Sequence, residues 1–405
     1  MEPCTRSTTQ SCLPSAGEGK RLVRSRSFIS LLGLALVFVA APAGADLAFV
    51  LTPAVQSGAR SNEVFFTGTM SNTSQTDTLF LNDIQVSFTE AATNYLTADT
   101  NVFFANVPGI LLPGETYSDV VFAVAINPAT PPGDYFGSVA ILGGSNIFAA
   151  VNLGSQSFQV SSPAISISAT VTDAFEFGAL PGALAISRVG GTNMDLTVTY
   201  VIGGTASNGV DFSLISNSIT IPAGTASATV MIVPLTDNAV DGDETVVLTL
   251  SGTSTYNLSA PVSAAVTIHD TPFNTWRLAE FGTNASNSAI SGDFADPDGD
   301  GLANLLEYAL HLDPKIVDTA GLPLPQIDPA GCCLTLIYTK VISAIDLIYA
   351  AEAASDPGGP WSTNGITLAV IADNGVTQTI EASDAGNPLP ATIQRFMHLR
   401  ITRLP

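Results

Sequence analysis

From Leu47 to Ser162 the chain is a series of short β-prone runs separated by turn clusters, and this pattern constrains the fold more than any other feature. The runs are LAFVL, NEVFFTGTM, DTLFLNDIQVSFT, SDVVFAVAI, GDYFGSVAIL and SQSFQVS. Leu112-Pro113-Gly114-Glu115 and Pro131-Pro132-Gly133-Asp134 punctuate them. Short strands at regular spacing, cut by Pro and Gly, predict a β-sandwich. The composition agrees: 46% hydrophobic but only 12% charged, with 34 Gly and 25 Pro, the profile of turn-rich secreted β modules. A length of 405 residues allows two to four such domains. The formal charge of −22 argues against nucleic acid, whose phosphates need Lys and Arg, and suits divalent cations or solubility in salt.

The stretch DPDGDGLANLLE, Asp296 to Glu307, carries the most specific chemistry. It fits the one-loop calcium pattern D-x-[DN]-x-[DN]-G, five residues, then Glu. Asp296, Asp298 and Asp300 take positions 1, 3 and 5, and Gly301 at position 6 makes the sharp turn. Leu302 would offer its backbone carbonyl, Asn304 holds position 9, and Glu307 at position 12 can bind through both oxygens. The bland alternative is an acidic surface turn. Leu302, Leu305, Leu306, Ala309 and Leu310 fall on one helical face, which predicts an amphipathic helix ending near Asp313-Pro314. On the entering side a helix-like piece, Phe273 to Phe281, is separated from Asp296 by a polar stretch. The loop therefore resembles a lone dockerin-like or thrombospondin type 3-like calcium loop rather than one of a pair of EF-hands.

Residues 163–271 contain GTASNGVDF (Gly204 to Phe212), Ala223-Gly224 before a strand, DNAVDGDET (Asp237 to Thr245) and a closing TIHD (Thr267 to Asp270). On these motifs the segment resembles a Calx-beta domain nearly end to end. The resemblance implies a seven-stranded Ig-like sandwich whose loops at one end bind calcium. Carried over position by position, it implies Glu176, Asp211, Asp237, Asp241 and Asp270 as acidic ligands. Asp241 stands where the family usually has Glu, and the family's acidic run after the last strand is cut to Asp270. The residues themselves support gathered carboxylates, which repel one another unless a cation enters; they also allow Asn208-Gly209 and Asp241-Gly242 to be plain turns. Asp243 and Glu244 read as the opening of the strand TVVLTL. Segments of residues 46–162 resemble bacterial Ig-like modules, a likeness that names no ligand.

Residues 1–45 read as a targeting segment: a basic cluster (Lys20, Arg21, Arg24, Arg26), an apolar run from Phe28 to Ala40, and Ala43-Gly44-Ala45 as a small-x-small cleavage site. The apolar run is short for a membrane span, which favours cleavage after Ala45 and export over a retained anchor. No other stretch is apolar enough to span. Cys332-Cys333 is the one cysteine pair beyond that segment, so no disulfide framework is expected; the pair either forms a vicinal disulfide or supplies small residues at a strand start. The remaining expected units are a loop–helix segment (272–314), a Pro-rich linker (315–329) and a small β domain (330–405). Trp361, after a Pro-Gly-Gly-Pro turn, reads as a core anchor before a sugar platform.

No nucleophile elbow, H-E-x-x-H, C-x-x-C or Walker A lysine is present, and His269, His311 and His398 are scattered. The expectation is a mainly β chain of serial Ig-like sandwiches. Its expected role is that of an exported, non-catalytic calcium-binding protein in adhesion, extracellular matrix or cell contact, with a cell-surface protein or polysaccharide as partner. The alternatives are a carbohydrate-binding accessory protein or the non-catalytic subunit of a secreted hydrolase.

Overall fold

The computed structural model describes residues 46–237, 239–317, 320–328, 333–388 and 394–404. The targeting segment with its cleavage site, and Cys332, lie outside the described residues; Cys333 is a buried free thiol. No helix among the described residues is long and apolar enough to cross a membrane.

The first sandwich stacks two sheets. One runs in the order Leu47–Leu51, Glu63–Asn72, Thr116–Ile126, Leu96–Asp99. The other runs Val55–Ser57, Val151–Ser162, Gly133–Gly144, Leu79–Phe88, Ile110–Leu111. Alternation along the strands turns every second residue inward. Phe66, Phe122 and Phe158 meet at the centre, with ring centroids 4.7 to 5.0 Å apart.

Pro163 alone separates Val151–Ser162 from the first strand of the second sandwich, Ala164–Val171. That strand lies in the order Ser227–Ile232, Gly182–Val189, Ala164–Val171, Asn257–Leu258. The facing sheet runs Asp173–Phe175, Ser263–His269, Glu244–Leu250, Leu196–Gly204, Ser218–Ile221. Ile165, Ile186, Val198, Phe212, Leu248 and Val266 fill the space between them. The two sandwiches are pinned by polar contacts. Ala59 N donates to Ser254 O (2.7 Å), Arg60 N to Asn257 Oδ1 (2.9 Å), and Asn193 Nδ2 to Gln159 Oε1 (2.7 Å).

The expected division of residues 272–405 changes. The helix Pro272–Phe281 starts directly after the second sandwich, with Thr271 as its cap and Pro272 in its first turn. It packs through Phe273 and Trp276 on Tyr308 and Ala309 of the helix Asn304–Leu310, and on Val341, Ala344 and Leu347. The loop–helix segment therefore shares a core with the C-terminal strands. Those strands form one sheet, Leu324–Ile327, Leu334–Val341, Thr377–Ser383, Thr367–Asp373, and a pair, Leu347–Ala354 with Phe396–Arg403. The linker expected over 315–329 is interrupted by the strand Leu324–Ile327, which pairs with Leu334–Val341. Its Pro325 is tolerated because the strand lies at the sheet edge.

The helix after the acidic loop is also shorter than its apolar spacing suggests. It begins at Asn304, so Leu302 lies outside it, and it stops at His311 in a left-handed conformation (φ 61°). Its buried side carries Asn304, Glu307 and Tyr308 as well as Ala309 and Leu310.

Candidate metal centres

The acids of the second sandwich continue the inward parity of its strands. Ala174 faces the core, and so does Glu176 two residues on; Val266 and Ile268 face it, and so does Asp270. Glu244 opens a strand whose Val246, Leu248 and Leu250 point inward. Carboxylates are thereby delivered to one end of an apolar core, where water is scarce.

The carboxylates gather there in two overlapping triplets. In one, an oxygen each from Glu176, Asp241 and Asp270 lies within 4.8 Å of the others; in the other, the same holds for Asp211, Asp241 and Glu244. Asp241 belongs to both. Glu244, expected only to open a strand, does so and also joins the second triplet; strand parity is the signal that marks it. Asp237 is in neither triplet. Its Oδ1 accepts from Ala239 N (2.7 Å), and its charge acts on Glu176, Asp241 and Glu244 from the rim. Gly204 of the GTA motif lies so close to Glu244's strand that a Cβ there would stand 2.0 Å from Thr245 O. Asp243 faces away and pairs with His269 Nδ1 (2.9 Å), whose Nε2 meets Asp173 (3.0 Å).

The electrostatics are those of crowded, poorly hydrated anions. Burial first, then the charges of Asp270, Asp237, Asp241 and Glu244, push Glu176 up to about 8. Burial raises Asp270 to about 6 against the pull of the Asn274 side chain and the Thr271 N–H. Glu244 rises to about 7 through burial and its neighbours Asp211 and Asp241. Asp241 is raised by burial as well.

In the loop at Asp296, the turn is built by its own acids. Asp296 accepts from Gly299 N (2.9 Å) and Gly301 N (3.0 Å), Asp298 from Asp300 N (3.2 Å), and Asp300 from Leu302 N (2.8 Å). Gly301 holds φ 93°, a conformation that disfavours any side chain although nothing would collide with a Cβ. Oxygens of Asp296, Asp298 and Asp300 lie within 4.8 Å of one another. Glu307, 1% exposed, is raised to about 7 by burial and then by Asp298, Asp300 and Asp296. Asn304 is fully buried; its Nδ2 donates to Ile290 O and Gly292 O, each at 2.9 Å.

Among the described residues, five buried side-chain atoms lack a hydrogen-bond partner: Glu176 Oε2, Asp270 Oδ2, Asp298 Oδ2, Asn304 Oδ1 and Glu307 Oε2. All are oxygens, and all belong to residues that the sequence assigns to these two centres. Leaving a buried acceptor unpaired costs about 1–3 kcal/mol, more when it is charged. Hard oxygen donors, five of them without a hydrogen-bond partner, fit a hard cation such as calcium. A cavity of about 520 Å³ opens beside the second sandwich's acidic end, lined by Thr236, Asp237, Phe177, Phe294 and Arg403 among others.

The remaining sequence candidates sit apart. Trp361 stacks on His398 (3.9 Å between centroids), which in turn contacts Glu352 (3.0 Å), so one face of the indole is occupied within the chain.

Residues 178–272 match the Calx-beta domain family model. Among solved structures, the apo-form Calx CBD1 domain is similar at 24% identity, covering 26% of this chain and 96% of that chain, with a TM-score of 0.23. CBD12 from CALX1.2 is similar at 15% identity over 58% of this chain and 82% of that chain, with a TM-score of 0.27. The D0-D1 domain of Intimin is similar at 13% identity over 55% and 97%, with a TM-score of 0.18. No curated protein matches the chain.

Proposed function

We propose that this chain is an exported, non-catalytic calcium-binding modular protein that holds its domains at fixed angles for adhesion, matrix or cell contact. The observation that carries the calcium reading is the confinement of all five unpartnered buried oxygens to the two acidic centres. Glu176, Asp241, Asp270, Asp211 and Glu244 would hold calcium in the Calx-beta segment, with Asp237 on the rim. Asp296, Asp298, Asp300, Asn304, Glu307 and the Leu302 carbonyl would hold it in the loop, in the manner of a dockerin-like or thrombospondin type 3-like site.

The stiffening falls on one junction. The first two sandwiches are joined by Pro163 and direct hydrogen bonds, which need no metal. The junction of the second sandwich with the C-terminal module runs from Asp270 through the helix Pro272–Phe281 to the acidic loop, with an acidic centre at each end. Extracellular modules bind calcium at about 10⁻⁴–10⁻³ M, sufficient where calcium is plentiful.

Limited proteolysis and small-angle scattering test this role. With calcium the 272–317 segment resists cleavage and the molecule keeps one length. With a chelator, or in Glu307→Gln, cleavage falls in that segment while both sandwiches stay folded. Equal protection with and without calcium would refute the stiffening role. Cell or matrix binding that depends on calcium supports adhesion; glycan binding that persists in chelator would support the carbohydrate-binding alternative.

A further inference from the structure

The geometry points to a thermodynamic link between the two acidic centres, carried by the buried side chains of Asn274, Arg277, Ser291 and Asn304. It rests on the calcium reading above and adds that the sites are filled interdependently.

The four residues form an almost continuous polar path through the junction. Asn274 Nδ2 donates to Ala239 O (2.6 Å), the backbone carbonyl between Asp237 and Asp241. Arg277 Nη1 donates to Asn274 Oδ1 (3.1 Å), and its Nη2 and Nε donate to Ser291 Oγ (3.1 and 3.3 Å). Ser291 Oγ donates onward to Ala285 O (2.6 Å). The carbonyls on either side of Ser291, those of Ile290 and Gly292, are held by Asn304 Nδ2. Asn304's other amide atom, Oδ1, is one of the five unpartnered oxygens and occupies loop position 9. Asn274, Arg277, Ser291 and Asn304 are 2%, 7%, 0% and 0% exposed, so water does not substitute for these contacts. A second contact runs beside the path: a Cβ on Gly242 would stand 2.8 Å from Leu278 Cδ2, so the Asp241 turn lies directly against the helix.

The consequence is reciprocal. A cation at the loop fixes Asn304 and Glu307. Asn304 fixes the turn around Ser291, that turn fixes the Arg277 guanidinium, and Arg277 orients the Asn274 amide that holds the Asp237–Asp241 loop. A cation entering the second sandwich then meets a loop already ordered and loses less conformational freedom. Linkage requires the same factor in the other direction. Asn274, Arg277 and Ser291 act as positioning residues, since none belongs to any of the three carboxylate triplets.

The test is a cycle of calcium titrations on the full chain by calorimetry. Glu307→Gln removes the loop site, and the remaining heat reports the second sandwich. Its Kd rises roughly five- to tenfold over the wild-type value. Asp241→Asn weakens the loop by the same factor. In a Ser291→Ala background both sites still bind, but Glu307→Gln no longer changes the Kd of the second sandwich. Arg277→Lys, which keeps the buried charge but not the forked contact, runs the same cycle if Ser291→Ala does not fold. A merely structural role lowers Tm in the Ser291 variant yet leaves the Glu307→Gln effect intact, and that result would overturn the path. An unchanged second-sandwich Kd in Glu307→Gln would overturn the link while the calcium reading stands. No calcium heat in the wild type would overturn both.

Discussion

Replacing Glu176 by Gln should stabilise the metal-free protein, and calcium should cancel most of that gain. Glu176 is 5% exposed, one of its oxygens has no partner, and its carboxyl is pushed from 4.5 to about 8. A carboxyl whose pKa is raised by folding favours the fold in its neutral form. Its stabilising effect is therefore complete below pH 4.5 and lost as pH rises through about 8. At 1.36 kcal/mol per pH unit, carrying this group in the metal-free fold at pH 7 costs about 3 kcal/mol. Glu176→Gln keeps the size and removes the charge, so the metal-free second sandwich should become more stable by up to about 3 kcal/mol at pH 7. With calcium the difference shrinks: the wild type gains up to about 2.7 kcal/mol at a calcium concentration 100 times its Kd, and the variant gains less because it has lost a ligand. Scanning calorimetry of both proteins at pH 7, in chelator and in millimolar calcium, reads the two differences. Glu176→Gln melting below the wild type in chelator would refute the reasoning, because the carboxylate would then be stabilised by something other than a cation.

The same titration predicts that the metal-free protein loses stability between about pH 4.5 and pH 8, and that calcium flattens this slope; chelator and calcium melting curves across that range check it. Gly301→Ala should cost about 1 kcal/mol through its φ of 93° and weaken the loop's calcium affinity several-fold without unfolding either sandwich, measured by calorimetry and circular dichroism. Phe66→Ala should destabilise the first sandwich by about 3–5 kcal/mol, because the ring is fully buried between Phe122 and Phe158, and should leave calcium titration of the other centres unchanged.

The strands were legible because their residues alternate and their turns carry Pro and Gly. The acidic loop was legible because its carboxylates are close together in sequence. Glu244 shows where sequence reading stops short: its role depends on Asp211 lying opposite, more than thirty positions earlier, and on the face of the strand it opens. The pairing of the C-terminal strands was hidden for a related reason. Pro323 and Pro325 read as linker, yet an edge strand accepts proline, and its partner is the strand Leu334–Val341. The helix at Asn304 read as amphipathic, with leucines on its packed face. In the fold its buried side also carries Asn304 and Glu307, each with one oxygen left without a hydrogen-bond partner.

Calcium titration of the wild-type chain by calorimetry at pH 7 bears most directly on the central claim. Saturable heat is expected with a midpoint at about 10⁻⁴–10⁻³ M calcium, with at least one ion lost in Glu307→Gln and a different one lost in Asp241→Asn. No heat at millimolar calcium, or heat unchanged by both substitutions, would contradict it.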